Sequence, residues 1–208
     1  DDLDTGDILL YNGAPNSFFW RIIDRFIKFF TFSNYTHTSF VVCNPTFTHT
    51  PLEGTYIWES GWQGTPDPQD QITKCGVQFT SIHKATHNYQ GKIYVRKLKP
   101  QWKKTNDEWN HYLKPIHTTV YKQPYDINPI HWLEGFFRMS QTIFGNSTET
   151  TNCFWCSALV TYILKECGFV NEKVDFTIAR PCDLAYNQTD YIIWNGDYYE
   201  PEVLLQTN

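Results

Sequence analysis

The segment 150–169, TTNCFWCSALVTYILKECGF, contains three of the chain's six cysteines, and two of them, Cys153 and Cys156, stand at C-x-x-C spacing. Such a pair can form a redox couple, supply half of a zinc site, or include one nucleophilic thiolate. Thioredoxin-like pairs follow an early strand, whereas this pair lies three quarters of the way along the chain, and a zinc site needs four ligands. We favour a nucleophile over these alternatives and over inert buried thiols.

The residues around Cys156 predict a helix that would activate its thiol. Asn152 is a good N-cap, and the pattern continues to about Cys167. Cys156, Val160 and Ile163 then recur on one apolar face, so the sulfur should point to the interior or to a cleft in it. The partial positive charge at a helix N-terminus lowers the pKa of a cysteine there.

A thiolate nucleophile requires a base, and His37 is the strongest candidate among the seven histidines. It opens the apolar strand HTSFVV directly after the polar turn SNYT. A histidine at the first position of a strand has a fixed backbone and a partly open ring, which suits a group that must gain and lose a proton. The alternative is a structural, hydrogen-bonded histidine.

Glu59, in the segment IWES, is the candidate for the acid that orients the imidazole. A carboxylate among bulky apolar residues of a central strand is costly unless it is paired, and a histidine is a suitable partner. An edge strand with Glu59 facing solvent is the alternative. Glu53 and Asp67 are further candidate acids, but both stand in loops rich in proline and glycine.

The elements that must position these groups predict an α+β domain, because strands come first and helices follow. We expect strands over 6–11, 37–43, 54–60, 76–82 and 91–98, helices over 18–30, 105–121 (broken at Pro115), 129–145 and 152–167, a short helix at 180–187, and one or two strands in the tail.

Composition limits the possible functions. The chain has 208 residues, which suits one domain, and its 17% of aromatic residues can fill a core. A net charge of −5 without a basic run gives no support to nucleic-acid binding. No apolar run is long enough for a transmembrane helix, and the acidic start is not a signal peptide. The six cysteines are too sparse for a disulfide framework, so we expect reduced, mostly buried thiols.

In the order of its segments, the chain resembles the circularly permuted papain-like thiol hydrolases of the NlpC-type superfamily. These segments are GDILLY, THTSFVV, WES followed by GVQ, PYD and CFWCSALVTYILKECGF. Bacterial YiiX-like proteins, a poxvirus branch and the lecithin:retinol acyltransferase group are its relatives. In these families the histidine strand precedes the cysteine helix. The resemblance runs from about Gly6 to Leu184. The chain departs from the pattern at Thr38 and Ser39, where small or apolar residues are usual, and over 101–121, which we interpret as an insert.

The resemblance implies Cys156 as nucleophile, His37 as base, Glu59 as orienting acid, and Tyr125 as a residue that helps to hold the oxyanion. It implies an α+β, permuted papain-like fold, in which an antiparallel sheet or barrel packs against helices and the nucleophile lies at a helix N-terminus. We expect one domain over 1–208, with an elaborated helical stretch at 101–121.

The expected activity is that of a cysteine hydrolase acting on an amide (peptide or isopeptide) or ester bond through an acyl-enzyme, with no metal or cofactor. An acyltransferase, or an inactive lipid- or peptide-binding protein on the same scaffold, is the alternative. The expected partner is a peptide- or acyl-containing substrate. The aromatic face of the predicted helix 18–30 favours a hydrophobic portion in that substrate slightly, and contact with a membrane surface has no support beyond that face.

Overall fold

A computed structural model describes residues 3–13, 35–87, 89–125 and 152–205. Within these ranges the chain forms six strands: β1 (Ile8–Gly13), β2 (His37–Cys43), β3 (Thr55–Trp62), β4 (Cys75–Ser81), β5 (Gly91–Arg96) and β6 (Val203–Leu204). The same ranges contain three α-helices: α1 (Ile82–His87), α2 (Asn106–Val120) and α3 (Cys156–Glu166). Short 3-10 helices cover Pro100–Trp102, Phe176–Ile178 and Pro181–Leu184.

The strands form one open antiparallel sheet in the order β4-β3-β2-β1-β5-β6. This confirms the α+β class, and the first five strands start and end within two residues of the predicted bounds. The strand that carries Glu59 is flanked by β2 and β4 and is therefore an interior strand. Of the predicted tail strands, only β6 forms within the described residues, and it pairs with β5.

Alternating side chains give the sheet two apolar faces. One face carries Phe40 and Trp58, which pack with α2 and α3 in the larger core. The opposite face carries Val41 and Ile57 in a smaller core, against which Ile82 of α1 packs. The helix that contains Cys156 therefore belongs to the first face, and α1 belongs to the second.

The cysteine helix starts later than the sequence predicts. It begins at Cys156, and its N-cap is Trp155, not Asn152. Phe154 is held in an extended bridge with Tyr125, and its N–H donates to the carbonyl of Pro124 (3.0 Å), so the helix cannot begin earlier. Every residue from Cys156 to Leu164 is buried, so α3 is enclosed on all sides rather than along one face. A glycine at φ +77°, Gly168, follows its end as expected.

The predicted break of α2 at Pro115 is wrong. The helix runs unbroken through the proline, and a capping box between Thr105 and Glu108 fixes its start. Pro115 stands on the exposed side of the helix, while Leu113 and Val120 are buried on the other. A proline costs one backbone hydrogen bond, and the buried face offsets that loss.

The two other predicted helices, over 18–30 and 129–145, lie outside the described residues. No helix within the described ranges combines the length and apolar character needed to cross a membrane.

Candidate active site

Three side chains from distant parts of the sequence meet at one end of the sheet. His37 is the first residue of β2, Glu59 lies in the interior of β3, and Cys156 is the first residue of α3. Pairing between β2 and β3 stops at Phe40 and Trp58, so the first residues of β2 separate from the last residues of β3. The N-terminus of α3 approaches the sheet where the two strands part.

Glu59 and His37 form a short hydrogen bond between Oε2 and Nε2, 2.7 Å long. The Glu59 side chain is fully buried. Its other oxygen, Oε1, accepts hydrogen bonds from the hydroxyl of Thr80 (2.7 Å) and the amide of Gln63 (2.8 Å). The carboxylate thus has a donor on both oxygens, which offsets the cost of burying it. The alternative of a solvent-facing Glu59 on an edge strand is wrong.

The imidazole of His37 is also close enough to the sulfur of Cys156 for each group to shift the pKa of the other. Nε2 of the ring engages Glu59, which leaves Nδ1 for any bond to the sulfur. The backbone N–H groups of Thr38 and Ser157 also lower the pKa of the thiol. Thr38 lies in the part of β2 that does not pair with β3, and Ser157 belongs to the first turn of α3.

These contacts favour a thiolate–imidazolium pair. Burial raises the pKa of Cys156, but the neighbouring His37 and the two N–H donors outweigh burial, and the pKa of Cys156 is lowered. Burial lowers the pKa of His37, yet the Cys156 sulfur and the Glu59 carboxylate together raise it to about 10. A cation and an anion close together stabilise each other, so the pair favours the thiolate and the imidazolium over the two neutral groups.

The imidazole is supported on its flanks and open on one side. The ring of Tyr11 lies 5.0 Å from it, and the Tyr11 hydroxyl is hydrogen-bonded to Ser39 (3.1 Å). On the β3 side stands Gly61, where a Cβ would come 3.7 Å from Cε1 of the ring. The side chain of His37 is 26% exposed, so a reactant can reach it.

A second contact fixes the segment that precedes the nucleophile. Ser60 points to the opposite face from Glu59, and its hydroxyl donates to the carbonyl of Phe154 (2.6 Å). Tyr125 is bridged to Phe154, and its N–H donates to the carbonyl of Cys75 (3.1 Å). The backbone of Tyr125 therefore lies beside the approach to Cys156, while the role of its hydroxyl stays a prediction.

The other candidate acids are not part of this site. Glu53 is exposed, and Asp67 is buried in a separate cluster, where it accepts from Lys74 (2.8 Å) and Gln69 (2.8 Å). All six cysteines lie in the described ranges and are thiols. The prediction that most of them are buried is wrong: two are buried, three are half-buried and Cys75 is exposed.

Sequence reasoning missed the two side chains that hold Glu59. Thr80 belongs to β4, where Gln78 is the residue paired with Glu59, so Thr80 lies diagonally across the strands. Strand alternation puts Gln78, Thr80 and Glu59 on one face, but only the register shows which of them meet. Gln63 follows the end of β3, and no sequence pattern indicates that it turns back to the carboxylate.

The fold and the site define an α+β protein with a partly open Cys-His-Glu cluster at a helix N-terminus. No protein-family model matches the chain, and no curated protein matches it in sequence. Among solved structures, it is similar to the metalloprotein YiiX from Escherichia coli O157:H7, with a TM-score of 0.47 and 17% identity. The match covers 78% of this chain and 64% of that chain, and a likeness at this level carries no argument about function. In the described part of the chain, no group of three His, Cys, Asp or Glu side chains is arranged to hold a metal ion.

Proposed function

We propose that the protein is a cysteine hydrolase of the permuted papain-like type, which cleaves an amide or ester bond with Cys156 as nucleophile, His37 as base and Glu59 as orienting acid. One observation carries the proposal: the imidazole of His37 is hydrogen-bonded to the buried carboxylate of Glu59 at 2.7 Å, and the same imidazole lowers the pKa of Cys156. A structural histidine does not require both partners, whereas this arrangement is the one that activates a thiol.

The reaction proceeds through an acyl-enzyme. The proton of Cys156 passes to Nδ1 of His37, and the thiolate attacks the carbonyl carbon of the substrate. A C–S bond forms, and the carbonyl π electrons move to the oxygen. When the oxyanion collapses, the bond to the leaving amine or alcohol breaks, and His37 gives the proton to the leaving group. Water, deprotonated by His37, then attacks the thioester and releases the acid, and the sulfur regains its proton.

The oxyanion would be held near the start of α3. The first N–H groups of a helix have no partner within it, and the backbone N–H of Cys156 is the first of them. The hydroxyl of Tyr125 would supply a second donor, as the family resemblance implies. Loss of one such donor raises the activation barrier by about 3 kcal/mol.

The whole chain would act as one domain. The stretch 101–121, interpreted as an insert, supplies α2, and the ring of Trp109 on that helix lies 6.2 Å from Phe40 of β2 and 6.2 Å from Phe169. An insert that packs into the main core belongs to the same folding unit. The substrate would therefore approach a single domain, at the end of the sheet where β2 and β3 separate.

Competition between two thiols for a small electrophile tests the proposal. Cys75 is exposed, and its partial burial raises its pKa, whereas Cys156 is only 5% exposed and its pKa is lowered. If exposure decided reactivity, Cys75 would react first. We expect iodoacetamide at mildly acidic pH to modify Cys156 first, because only the thiolate reacts. Peptide mapping by mass spectrometry gives both rates in one sample.

Two variants separate the proposal from its alternatives. His37→Ala should abolish the selective labelling of Cys156, while Cys153→Ser should leave it intact. A dithiol oxidoreductase would lose its activity equally with either cysteine replaced. Labelling led by Cys75 in the unmodified protein would favour an inactive binding scaffold and overturn the assignment of the nucleophile.

A further inference from the structure

An aromatic side chain is left exposed beside the proposed active site. Trp62, the last residue of β3, is 47% exposed. Tryptophan has the largest apolar surface of any residue and is strongly buried on average in folded proteins. The residue that pairs with it across the sheet, Cys75, is exposed as well, so neither covers the other.

The position of Trp62 is set by its neighbours in the chain. Gly61 lies against the ring of His37, with 3.7 Å between its Cβ position and Cε1, and Gln63 donates to Glu59 at 2.8 Å. The two residues that flank Trp62 thus contact His37 and Glu59, the proposed base and its orienting acid. Consecutive residues of a strand alternate between faces, so the indole lies on the face of the sheet opposite to that of Glu59 and His37.

The face that carries Trp62 is the one against which α3, the helix of Cys156, packs. Ser60 shares it with Trp62, and its hydroxyl donates to the carbonyl of Phe154, two residues before Cys156. Residues i and i+2 on one face of a strand are about 7 Å apart. The backbone of Trp62 therefore lies about 7 Å from that of Ser60, whose side chain holds the segment that precedes the sulfur.

The backbone that carries the indole is fixed before any substrate binds. The backbone of Trp62 is fixed by its pairing with Cys75 in the β3–β4 ladder. The turn after it contains Gly64 at φ +68°, and a Cβ there would come 3.6 Å from Nε1 of the indole. Glycine adopts this backbone conformation without strain, so the turn passes beside the Nε1 edge of the ring.

We propose that Trp62 forms an apolar subsite for the part of the substrate next to the scissile carbonyl. The inference rests on the proposed function and deepens it, because it assigns the substrate class: an acyl group or side chain that is aromatic or aliphatic, not charged. An apolar chain laid on the indole removes apolar surface of both from water. A pocket contact of this size changes kcat/KM by about 10- to 100-fold.

Two esters with the same leaving group test the subsite. We would measure acylation of Cys156 by p-nitrophenyl acetate and p-nitrophenyl hexanoate, with Cys156→Ser as the background for other thiols. In Trp62→Ala the ratio of hexanoate to acetate kcat/KM should fall about 10-fold or more. Trp62→Phe, which keeps an apolar ring, should retain most of the ratio.

Trp102 provides the matched control. It is similarly exposed, at 40%, but its ring lies 4.8 Å from Tyr198 in another part of the chain. Trp102→Ala should leave the ester ratio unchanged. If both esters acylate Cys156 but Trp62→Ala keeps the ratio of the unmodified protein, the subsite is wrong and the proposed hydrolase stands. If neither ester acylates Cys156, the proposed function fails, and the subsite fails with it.

Discussion

Replacing Glu59 with glutamine would remove the negative charge behind the imidazole with little change in volume. In the protein, Oε1 of Glu59 accepts from Thr80 and Gln63, while Oε2 meets Nε2 of His37. A glutamine oxygen can satisfy the two donors, which leaves its amide nitrogen facing His37. That nitrogen only donates, so Nε2 must accept and therefore loses its proton. The variant thus disfavours the imidazolium that stabilises the Cys156 thiolate.

The expected magnitude follows from the loss of one charge-assisted hydrogen bond. Such a bond is worth about 1.5–3 kcal/mol, and one pKa unit corresponds to about 1.4 kcal/mol. The pKa of His37, now about 10, should therefore fall by about one to two units. With less positive charge beside it, Cys156 becomes a weaker acid, and its pKa should rise by a similar amount. At mildly acidic pH the rate of alkylation should drop about 10- to 100-fold.

The rate of iodoacetamide alkylation of Cys156, followed between about pH 5 and pH 9, measures this shift. The rising limb of the profile should move to higher pH in Glu59→Gln. Gln63→Ala is the matched control, because it removes one hydrogen bond to Glu59 (2.8 Å) and keeps the charge. Its profile should move much less. A Glu59→Gln protein with an unchanged melting temperature and a profile identical to that of the unmodified protein would refute the coupling of Glu59 to the thiolate.

Three other side chains give independent tests. Burial lowers the pKa of His117 to about 4, so on acidification the unfolded chain takes up a proton at this histidine before the folded protein does. The free energy of unfolding should therefore fall by roughly 3 kcal/mol as the pH drops from about 6.5 to about 4. In His117→Gln, urea titrations at both ends of this range should show that loss reduced, and an equal loss would contradict the assignment. Tyr11→Phe removes the 3.1 Å hydrogen bond to Ser39 but keeps the ring beside the imidazole, so thermal unfolding should show a cost of about 1 kcal/mol, with Cys156 alkylation unchanged. Arg96 is buried, donates to two backbone carbonyls and lies 5.4–5.9 Å from three aromatic rings. Arg96→Met should therefore cost about 2–4 kcal/mol in chemical unfolding, and a cost below about 1 kcal/mol would show that water replaces those bonds.

The strands could be predicted from the sequence because their signal is local. Apolar runs bounded by glycine, proline and asparagine predicted five of the six strands in the described part of the chain, including the two that carry His37 and Glu59. The sixth strand, Val203–Leu204, has only two residues and exists through its pairing with β5. A segment of that length carries too little pattern to be distinguished from a loop.

The helix boundaries were harder to predict because tertiary contacts decide them. Asn152 has the chemistry of an N-cap, but the bridge between Phe154 and Tyr125 keeps the chain extended and delays the helix to Cys156. This places the sulfur one turn nearer the helix N-terminus than the sequence indicates. Similarly, Pro115 is tolerated inside α2 because its ring lies on the exposed side. Neither outcome can be derived from the residues near it in the sequence.

The three residue types of the site could be found from their segments, but their meeting depends on the register of β3. Trp58 stacks on Phe79 at 5.3 Å in the larger core, Glu59 faces His37 on the other side of the sheet, and Ser60 returns to the first side to hold Phe154. A shift of β3 by one residue would exchange the two faces and bury the carboxylate in the apolar core, at a cost of several kcal/mol. The apolar pairing of β3 therefore fixes both the carboxylate behind the imidazole and the segment before the sulfur. The separation of β2 from β3 beyond Trp58 then opens the space in which the two meet, so the packing that stabilises the sheet is also what would make the thiol reactive.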